Sequence, residues 1–187
     1  PNNENDTPVL LIAVDGDASD WAGITPVVDE IQDDSACGND TDFYRVYTAM
    51  DAVNDYVMIE THGKPISTTA KIETAYDFKP GRSHRWQSLT DLAINLEMDG
   101  ATPLFFPYYD PDLDGQTEPY PISGAAMVRG NVLELSIPLS ELGNPDYFTL
   151  VGAITKTADG GTACDGAVGP NRVYDTLLSH HVYEDGQ

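Results

Sequence analysis

Two acidic segments of the chain carry residue types and spacings that could bind a cation. The first is made of two separate stretches. One is VDGDASDWAGI, with three aspartates in six residues, and the other is IQDDSACGNDTD, further along the chain. Ca²⁺ prefers carboxylate and carbonyl oxygens, and without a cation two such segments at one end of a fold would repel each other and raise their carboxylate pKa values. We therefore expect a calcium site, the alternative being a solvated acidic loop, and we expect Trp21 to be a core side chain beneath it. The predicted ligands are Asp15, Asp17, Asp20, Asp33, Asp34, Asp40 and Asp42.

The second acidic segment, DPDLDGQTE, has the spacing of the first half of an EF-hand loop. Aspartates stand at positions 1, 3 and 5, a glycine at 6 and a glutamine at 7. The glutamate expected at position 12 is replaced by Pro121, and no flanking helices are predicted. We therefore predict a calcium loop between strands, the alternative being an ordinary Asp-Gly turn. The predicted ligands are Asp110, Asp112, Asp114, Gln116 and Glu118.

Aromatic residues flank this second segment. FFPYY immediately precedes it, and Trp86 lies in the basic turn GRSHRW. Aromatic rings stack on the apolar faces of sugars, but a strand alternates its faces, so at most half of the rings in a strand can be exposed. Core packing is the interpretation for Phe105 or Phe106. The candidate carbohydrate-binding residues are Trp86, Tyr108 and Tyr109, with sheet packing as the alternative.

The overall charge excludes several classes of partner. The 187 residues include 31 acidic and 9 basic ones, a formal net charge of -22, so nucleic acid and anionic lipid would be repelled. No apolar run reaches the ~20 residues of a membrane span. Because aspartate is concentrated in the loops, bound calcium is favoured over adaptation to salt as the compensation for this charge.

The cysteines and the polar opening of the chain bear on its compartment and organisation. Cys37 and Cys164 both lie in loops rich in Gly and Asp, without a metal-binding spacing. A disulfide between them is favoured and implies an oxidising compartment; two separate thiols in a reducing cytosol are the alternative. The opening PNNENDTP has the composition of a linker or a processed N-terminus. We predict an arm over residues 1–8 and one domain over residues 9–187, located outside the cell or at its surface.

Alternating hydrophobicity predicts an all-β fold. LAINLEMD places Leu92 and Leu96 on one face, and NVLELSIPL places Leu133 and Leu135 inward with Glu134 outward. YRVYTAM, DYVMIETH, KIETAYDF and YFTLVGAIT are further strands, separated by turn segments such as DAVND and MVRGN. Short strands at this spacing predict an antiparallel β-sandwich with long acidic loops. Short helical turns are expected only near TPVVDEIQ and PLSELG.

The order of several segments resembles the family 9 carbohydrate-binding-like domains of the DOMON-like β-sandwich group. The resemblance rests on an apolar strand running into VDGDASDWAGI, the acidic loop IQDDSACGNDTDF, the hairpin VYTAMDAVNDYVMIE, the strand INLEMDG and the segment GNVLELSIPLSELG. It implies a jelly-roll or DOMON-like sandwich that is not catalytic and holds calcium in its loops. Relatives of this kind are often attached to polysaccharide-degrading enzymes or to cell-surface proteins.

Two functions follow as expectations. The chain contains no GxSxG, HExxH or phosphate-binding loop, so we expect it not to be an enzyme. The leading hypothesis is an extracellular calcium-binding module that binds a polysaccharide or glycan or serves as an accessory domain. The rival is a structural subunit of a calcium-dependent surface layer or filament, whose partners are copies of itself joined by strand exchange.

Overall fold

The structure is a computed structural model of the chain. It describes residues 12–29, 42–62, 66, 71–77, 92–99, 102–109, 118–119, 122–142, 149–156, 163–168, 173–176 and 180–184. The predicted arm over residues 1–8 lies outside these ranges. None of the helical segments in the described ranges is long and apolar enough to cross a membrane.

Thirteen strands and two short 3₁₀ turns make up the described part of the chain, which confirms the all-β prediction. The strands are β1 Val28–Asp29, β2 Phe43–Met50, β3 Asn54–Thr61, β4 Lys71–Asp77, β5 Leu92–Asp99, β6 Thr102–Tyr109, β7 Glu118–Pro119, β8 Ala125–Arg129, β9 Val132–Pro138, β10 Thr149–Lys156, β11 Ala163–Val168, β12 Val173–Thr176 and β13 His180–Glu184. The 3₁₀ turns are Ala18–Trp21 and Leu139–Leu142.

All strand pairs in these ranges are antiparallel, and they form three sheets. Sheet A has the order β1-β2-β3-β9-β8, sheet B the order β11-β10-β4-β5-β6-β7, and sheet C pairs β12 with β13. The alternating segments predicted from the sequence become β5 and β9, because each has one apolar face to bury. Apolar residues of sheets A and B are buried together in one cluster.

One hydrophobic cluster contains residues of both sheets. Val57 and Leu135 of sheet A are completely buried with Leu96 of sheet B, and Ile72 of sheet B is 1% exposed. The side of sheet A that carries Val57 and Leu135 is called its core side, and the opposite side its outer side. The other buried members of this cluster are Phe43, Val46, Ile59, Ile66, Ile122, Leu133 and Ile137.

A tight turn joins β2 to β3 and fixes their register. The Asp51 amide donates to the Asn54 carbonyl, and one Asp51 carboxylate oxygen accepts from the amides of Val53 and Asn54, both at 2.7 Å. The Tyr56 hydroxyl donates to the other oxygen at 3.0 Å. Desolvation raises the pKa of Asp51, but these hydrogen bonds outweigh it, so the net pKa lies below its ordinary value.

Three local predictions were wrong or incomplete. Residues 12–14 of the segment expected to be an apolar strand have no regular structure, because they lie on the outer side of sheet A rather than in it. Within TPVVDEIQ, residues 28–29 are strand β1, whereas the helical turn in PLSELG is confirmed. Most of the segment MVRGN belongs to β8, and only residues 130–131 form the turn.

Candidate metal and ligand sites

The segment of residues 12–24, here called the covering segment, lies over the outer side of sheet A. Trp21 is 2% exposed and packs with Tyr47, Tyr56 and Met58, which project from β2 and β3 on that side. The Trp21 and Tyr47 rings lie 6.0 Å apart. Trp21 is therefore a core side chain, as expected. The cluster is completed by Ile12 and Val132, with Val14, Ala18, Ile24 and Ala49 at its margin.

Glu134 anchors the covering segment from within sheet A. Its neighbours in sequence, Leu133 and Leu135, belong to the core side of β9, so Glu134 belongs to the outer side. Its exposure is nevertheless 0%. One carboxylate oxygen accepts from the amides of Asp15 at 2.9 Å and Gly16 at 2.6 Å, and the other accepts from the Trp21 indole N–H at 2.7 Å. The prediction that Glu134 points outward to solvent was therefore wrong. Alternation located its face, but the covering segment buries that face.

The close approach to Glu134 determines which residue can stand at position 16. Gly16 has a φ of 77°, in the left-handed region, and an added Cβ atom would lie 2.4 Å from the Cβ of Arg129. Glycine removes both obstacles, since it has no Cβ. The Asp-Gly pair therefore allows two consecutive amides to face one buried carboxylate.

The three aspartates of the covering segment are engaged by its own backbone. Asp15 accepts from the Asp17 amide at 2.8 Å, Asp17 from the Ser19 amide at 3.1 Å, and Asp20 from the Ala13 amide at 3.0 Å. The Ser19 amide is the main cause of a lowered pKa at Asp17, with smaller help from the Ser19 side chain and Arg129. These hydrogen bonds therefore stabilise the conformation of the loop.

The first predicted calcium site is only partly within the described residues. Asp42 is 2% exposed at the start of β2, where its carbonyl accepts from the His62 amide at 3.0 Å. In the described ranges no three His, Cys, Asp or Glu side chains come together as a group that could hold a metal ion, so Asp15, Asp17, Asp20 and Asp42 do not form one by themselves. Asp33, Asp34 and Asp40 lie outside the described residues, and the site stays a prediction.

The second acidic segment connects two paired strands of sheet B. Tyr109, the last residue of β6, pairs with Glu118, the first residue of β7, and Tyr108 pairs with Pro119. Residues 110–117 therefore form the connection of a β-hairpin, with Glu118 at its base. Asp110, Asp112, Asp114 and Gln116 lie outside the described residues, so their role as calcium ligands stays a prediction.

The register of β5 and β6 separates the two candidate tyrosines. Leu96 is completely buried and pairs with position 105, whereas Leu104 is 43% exposed. Odd-numbered positions of β6 therefore belong to the side of sheet B that carries Leu96, here called its core side, and even-numbered positions to the opposite, outer side. Tyr108 occupies an outer position and Tyr109 a core position. Trp86 lies outside the described residues.

The predicted disulfide is also only partly described. Cys164 is the second residue of β11, and Cys37 lies outside the described residues. The pairing of these cysteines stays a prediction.

A buried carboxyl group that the sequence reasoning missed lies at the start of β3. Asp55 is 2% exposed, and its Oδ2 atom has no hydrogen-bond partner. Burial raises the pKa of Asp55 well above its ordinary value, and the hydrogen bond with the Tyr56 backbone only partly opposes this. The sequence signal was weak, because an aspartate beside the turn DAVND is normally a solvated turn residue.

Comparison with known proteins places no further constraint on these sites. No protein-family model matches the chain, and no curated protein has a sequence that is significantly similar to it.

Proposed function

We propose that the chain is a non-catalytic, extracellular β-sandwich module that holds calcium in the β6–β7 connection and binds carbohydrate beside it. The mixed core of sheets A and B supports a sandwich arrangement of the kind found in family 9 carbohydrate-binding-like domains. The observation that carries the proposal is the pairing of Tyr109 with Glu118. It brackets the acidic segment between two paired strands, and Tyr108, at an outer position, lies two residues before Asp110.

Calcium belongs more naturally to this connection than to the covering segment. The aspartates of the covering segment already satisfy backbone amides, and Glu134 holds the segment in place. The β6–β7 connection and Glu118 at its base have four acidic side chains within nine residues, with a glycine where a loop must bend around an ion. A cation would compensate their repulsion in a chain whose net charge is -22.

Calcium binding is tested with Asp114→Ala. In the wild-type protein, calcium at ~100 times its dissociation constant should stabilise the fold by roughly 2.7 kcal/mol. Asp114→Ala should lose calcium affinity in calorimetric titration and lose the calcium-dependent rise in melting temperature. Asp29→Ala is the matched control, because it removes one carboxylate that is 56% exposed and forms a surface ion pair with Arg45. An Asp114→Ala variant with unchanged stoichiometry and an equal or higher melting point would show an ordinary turn.

Carbohydrate binding is tested with a glycan array and Tyr108→Ala. The outer register position of Tyr108 favours a stacking role, so this variant should lose binding while retaining its melting temperature. Tyr109→Ala should instead lower the melting temperature, because position 109 belongs to the core side. Absence of glycan binding by the calcium-loaded wild-type protein would leave the module without its proposed ligand.

An extracellular location rests on the Cys37–Cys164 disulfide. Closing so long a loop stabilises the fold by on the order of 4–5 kcal/mol in the chain-entropy model. Peptide mapping without reductant should recover the two cysteines in one linked pair. Two free thiols in protein prepared under oxidising conditions would remove this support for secretion.

The second candidate function is a structural subunit that assembles through its sheets. Strand β8 favours it, because no strand among the described residues pairs with its second edge, and strand addition requires such an edge. Static light scattering with and without calcium separates the two candidates, since the average mass of the particles in solution should rise on addition of calcium if the chain is a subunit of a calcium-dependent assembly.

A further inference from the structure

Sheets A and B end in four strands, and three of these carry features that discourage pairing with another chain. β1 and β7 are two residues long, and β7 contains Pro119. The ladder between β10 and β11 is irregular at residues 155–156, and β11 contains Asp165. Short length, proline, irregular pairing and charge are the usual means of protecting a sheet edge.

Strand β8 has fewer of these protections: it contains no proline and no irregular pairing, its one charged residue, Arg129, stands at the end beside the turn, and strand β6 of sheet B lies close to it. Its sequence is AAMVR, and it pairs with β9 in an unbroken register from Ala125 to Arg129. No backbone hydrogen bond among the described residues reaches its other edge. Met127, at its centre, is 41% exposed. An exposed, regular and largely apolar edge strand is a site for association.

The hairpin geometry identifies the backbone groups that are available. A two-residue turn, Gly130–Asn131, joins Arg129 to Val132, and residues that flank such a turn exchange their hydrogen bonds with each other. Arg129, Met127 and Ala125 therefore bond to β9. The N–H and C=O groups of Ala126 and Val128 face the open edge.

The charges around β8 favour one partner and one orientation. Residues 122–131 contain Arg129 and no acidic residue, and the Asp17 carboxylate of the covering segment lies 4.0 Å from the Arg129 guanidinium, so little like charge faces a second copy along this edge although the net charge of the chain is -22. Arg129 is 70% exposed at one end of β8. Near the other end, Glu141 accepts hydrogen bonds from the Ser123 amide, at 2.8 Å, and hydroxyl. Antiparallel pairing brings each Arg129 toward the Glu141 end of the other copy, whereas parallel pairing would bring two arginines together.

We propose that two copies of this chain associate through their β8 edges as antiparallel strands related by a twofold axis at Met127. Ala126 of each copy pairs with Val128 of the other through two hydrogen bonds, and the two Met127 residues stand opposite each other. Sheet A thereby continues across the dimer as a ten-stranded sheet, twice its five strands. The interface is isologous and closed, so it gives a dimer rather than a fibre.

Cross-linking tests the central contact. Opposed residues of a non-hydrogen-bonded antiparallel pair have Cα atoms about 4.5 Å apart, within the range that a disulfide spans. The full chain with Met127→Cys should therefore form a covalent dimer under mild oxidation. Met50→Cys is the matched control, because Met50 is 42% exposed but lies away from β8. The covalent dimer should form in Met127→Cys alone, above the background of the wild-type chain.

Light scattering coupled to gel filtration tests the free association. The wild-type chain should have twice the mass of one copy, and dilution should dissociate it. Met127→Lys should be monomeric with the melting temperature of the dissociated wild-type chain, whereas Met50→Lys should remain dimeric. A wild-type chain that is monomeric at every concentration overturns the proposal. So does a dimer that persists in Met127→Lys, or equal cross-linking of both cysteine variants.

Discussion

Replacing the buried Glu134 with glutamine tests the anchor of the covering segment. The glutamine has nearly the same shape, but one oxygen becomes an NH₂ group. Whichever way it turns, that NH₂ group faces a donor: the Trp21 indole on one side, or the amides of Asp15 and Gly16 on the other. The less harmful orientation sacrifices the indole bond and leaves two N–H donors facing each other.

The magnitude follows from the three hydrogen bonds. A hydrogen bond to a charged group contributes about 1.5–3 kcal/mol, and a neutral one about 0.5–1.5 kcal/mol. Glu134→Gln loses one charged bond and converts two others to neutral ones, while the smaller desolvation of an amide offsets part of that loss. We expect destabilisation by about 2–3 kcal/mol. Glu134→Ala should be worse, because it leaves three buried donors without an acceptor.

Urea unfolding followed by circular dichroism, in chelator so that calcium makes no contribution, measures this difference. Glu60→Gln is the control, because Glu60 is a half-buried glutamate of β3 that accepts one long hydrogen bond, at 3.4 Å, from Tyr47. It should change the free energy of unfolding by less than about 0.5 kcal/mol. Trp21→Phe removes the facing indole donor, so the double variant should be more stable than the sum of the single changes. Additive effects, or a Glu134→Gln variant as stable as the control, would refute the anchoring role.

Three further predictions concern backbone strain and pH. Gly16→Ala should destabilise the fold by at least about 2 kcal/mol, because it adds a clash with Arg129 to an unfavourable φ. Gly23 has a φ of 92° and no atom within 4 Å of an added Cβ, so Gly23→Ala should cost about 1–2 kcal/mol from the backbone conformation alone. Thermal melts of both variants measure the difference. The raised pKa of Asp55 means that the folded state holds a proton where the unfolded chain, with a pKa near ~3.9, has lost it, so Asp55→Asn should stabilise at pH 7 and not at pH 3. The pKa of Asp51 is lowered, so the ionised Asp51 stabilises the folded state above pH ~3.9, and this stabilisation is lost on acidification. Asp51→Asn should therefore destabilise the fold at pH 7 and should do so progressively less as the pH falls. Urea melts at the two pH values test both signs.

The sequence predicts the strands whose two faces differ most in hydrophobicity. Leu92 to Asp99 alternates strictly and forms β5 with those bounds. The turn between β2 and β3 was also predictable, because Asp51 and Asn54 satisfy local amides that no distant residue is needed to reach. Strands β8 and β11 were missed, since small residues such as Ala125 and Gly166 give no periodic signal.

The role of Glu134 could not be predicted from alternation. Period-2 patterning assigns a residue to a side of a sheet, but it contains no information on whether another segment covers that side. The useful signal was indirect. The covering segment places Trp21 and Ile24 among its aspartates, and apolar residues of that size require a surface to bury them. Only the fold identifies that surface as the glutamate side of β9.

The anchor at Glu134 also has a consequence for biosynthesis. Its hydrogen bonds join residues 113 to 119 positions apart, with the covering segment made first and β9 much later. At a translation rate of about 5–20 residues per second, the covering segment waits roughly 6–24 s before its acceptor exists. During that interval Trp21 and Ile12 can pack only against the β2–β3 hairpin, which carries Tyr47, Tyr56 and Met58, and the carboxylate that anchors the covering segment is absent. A chaperone that recognises the covering segment would therefore have its best opportunity before β9 is synthesised, and should lose its hold once Glu134 is in place.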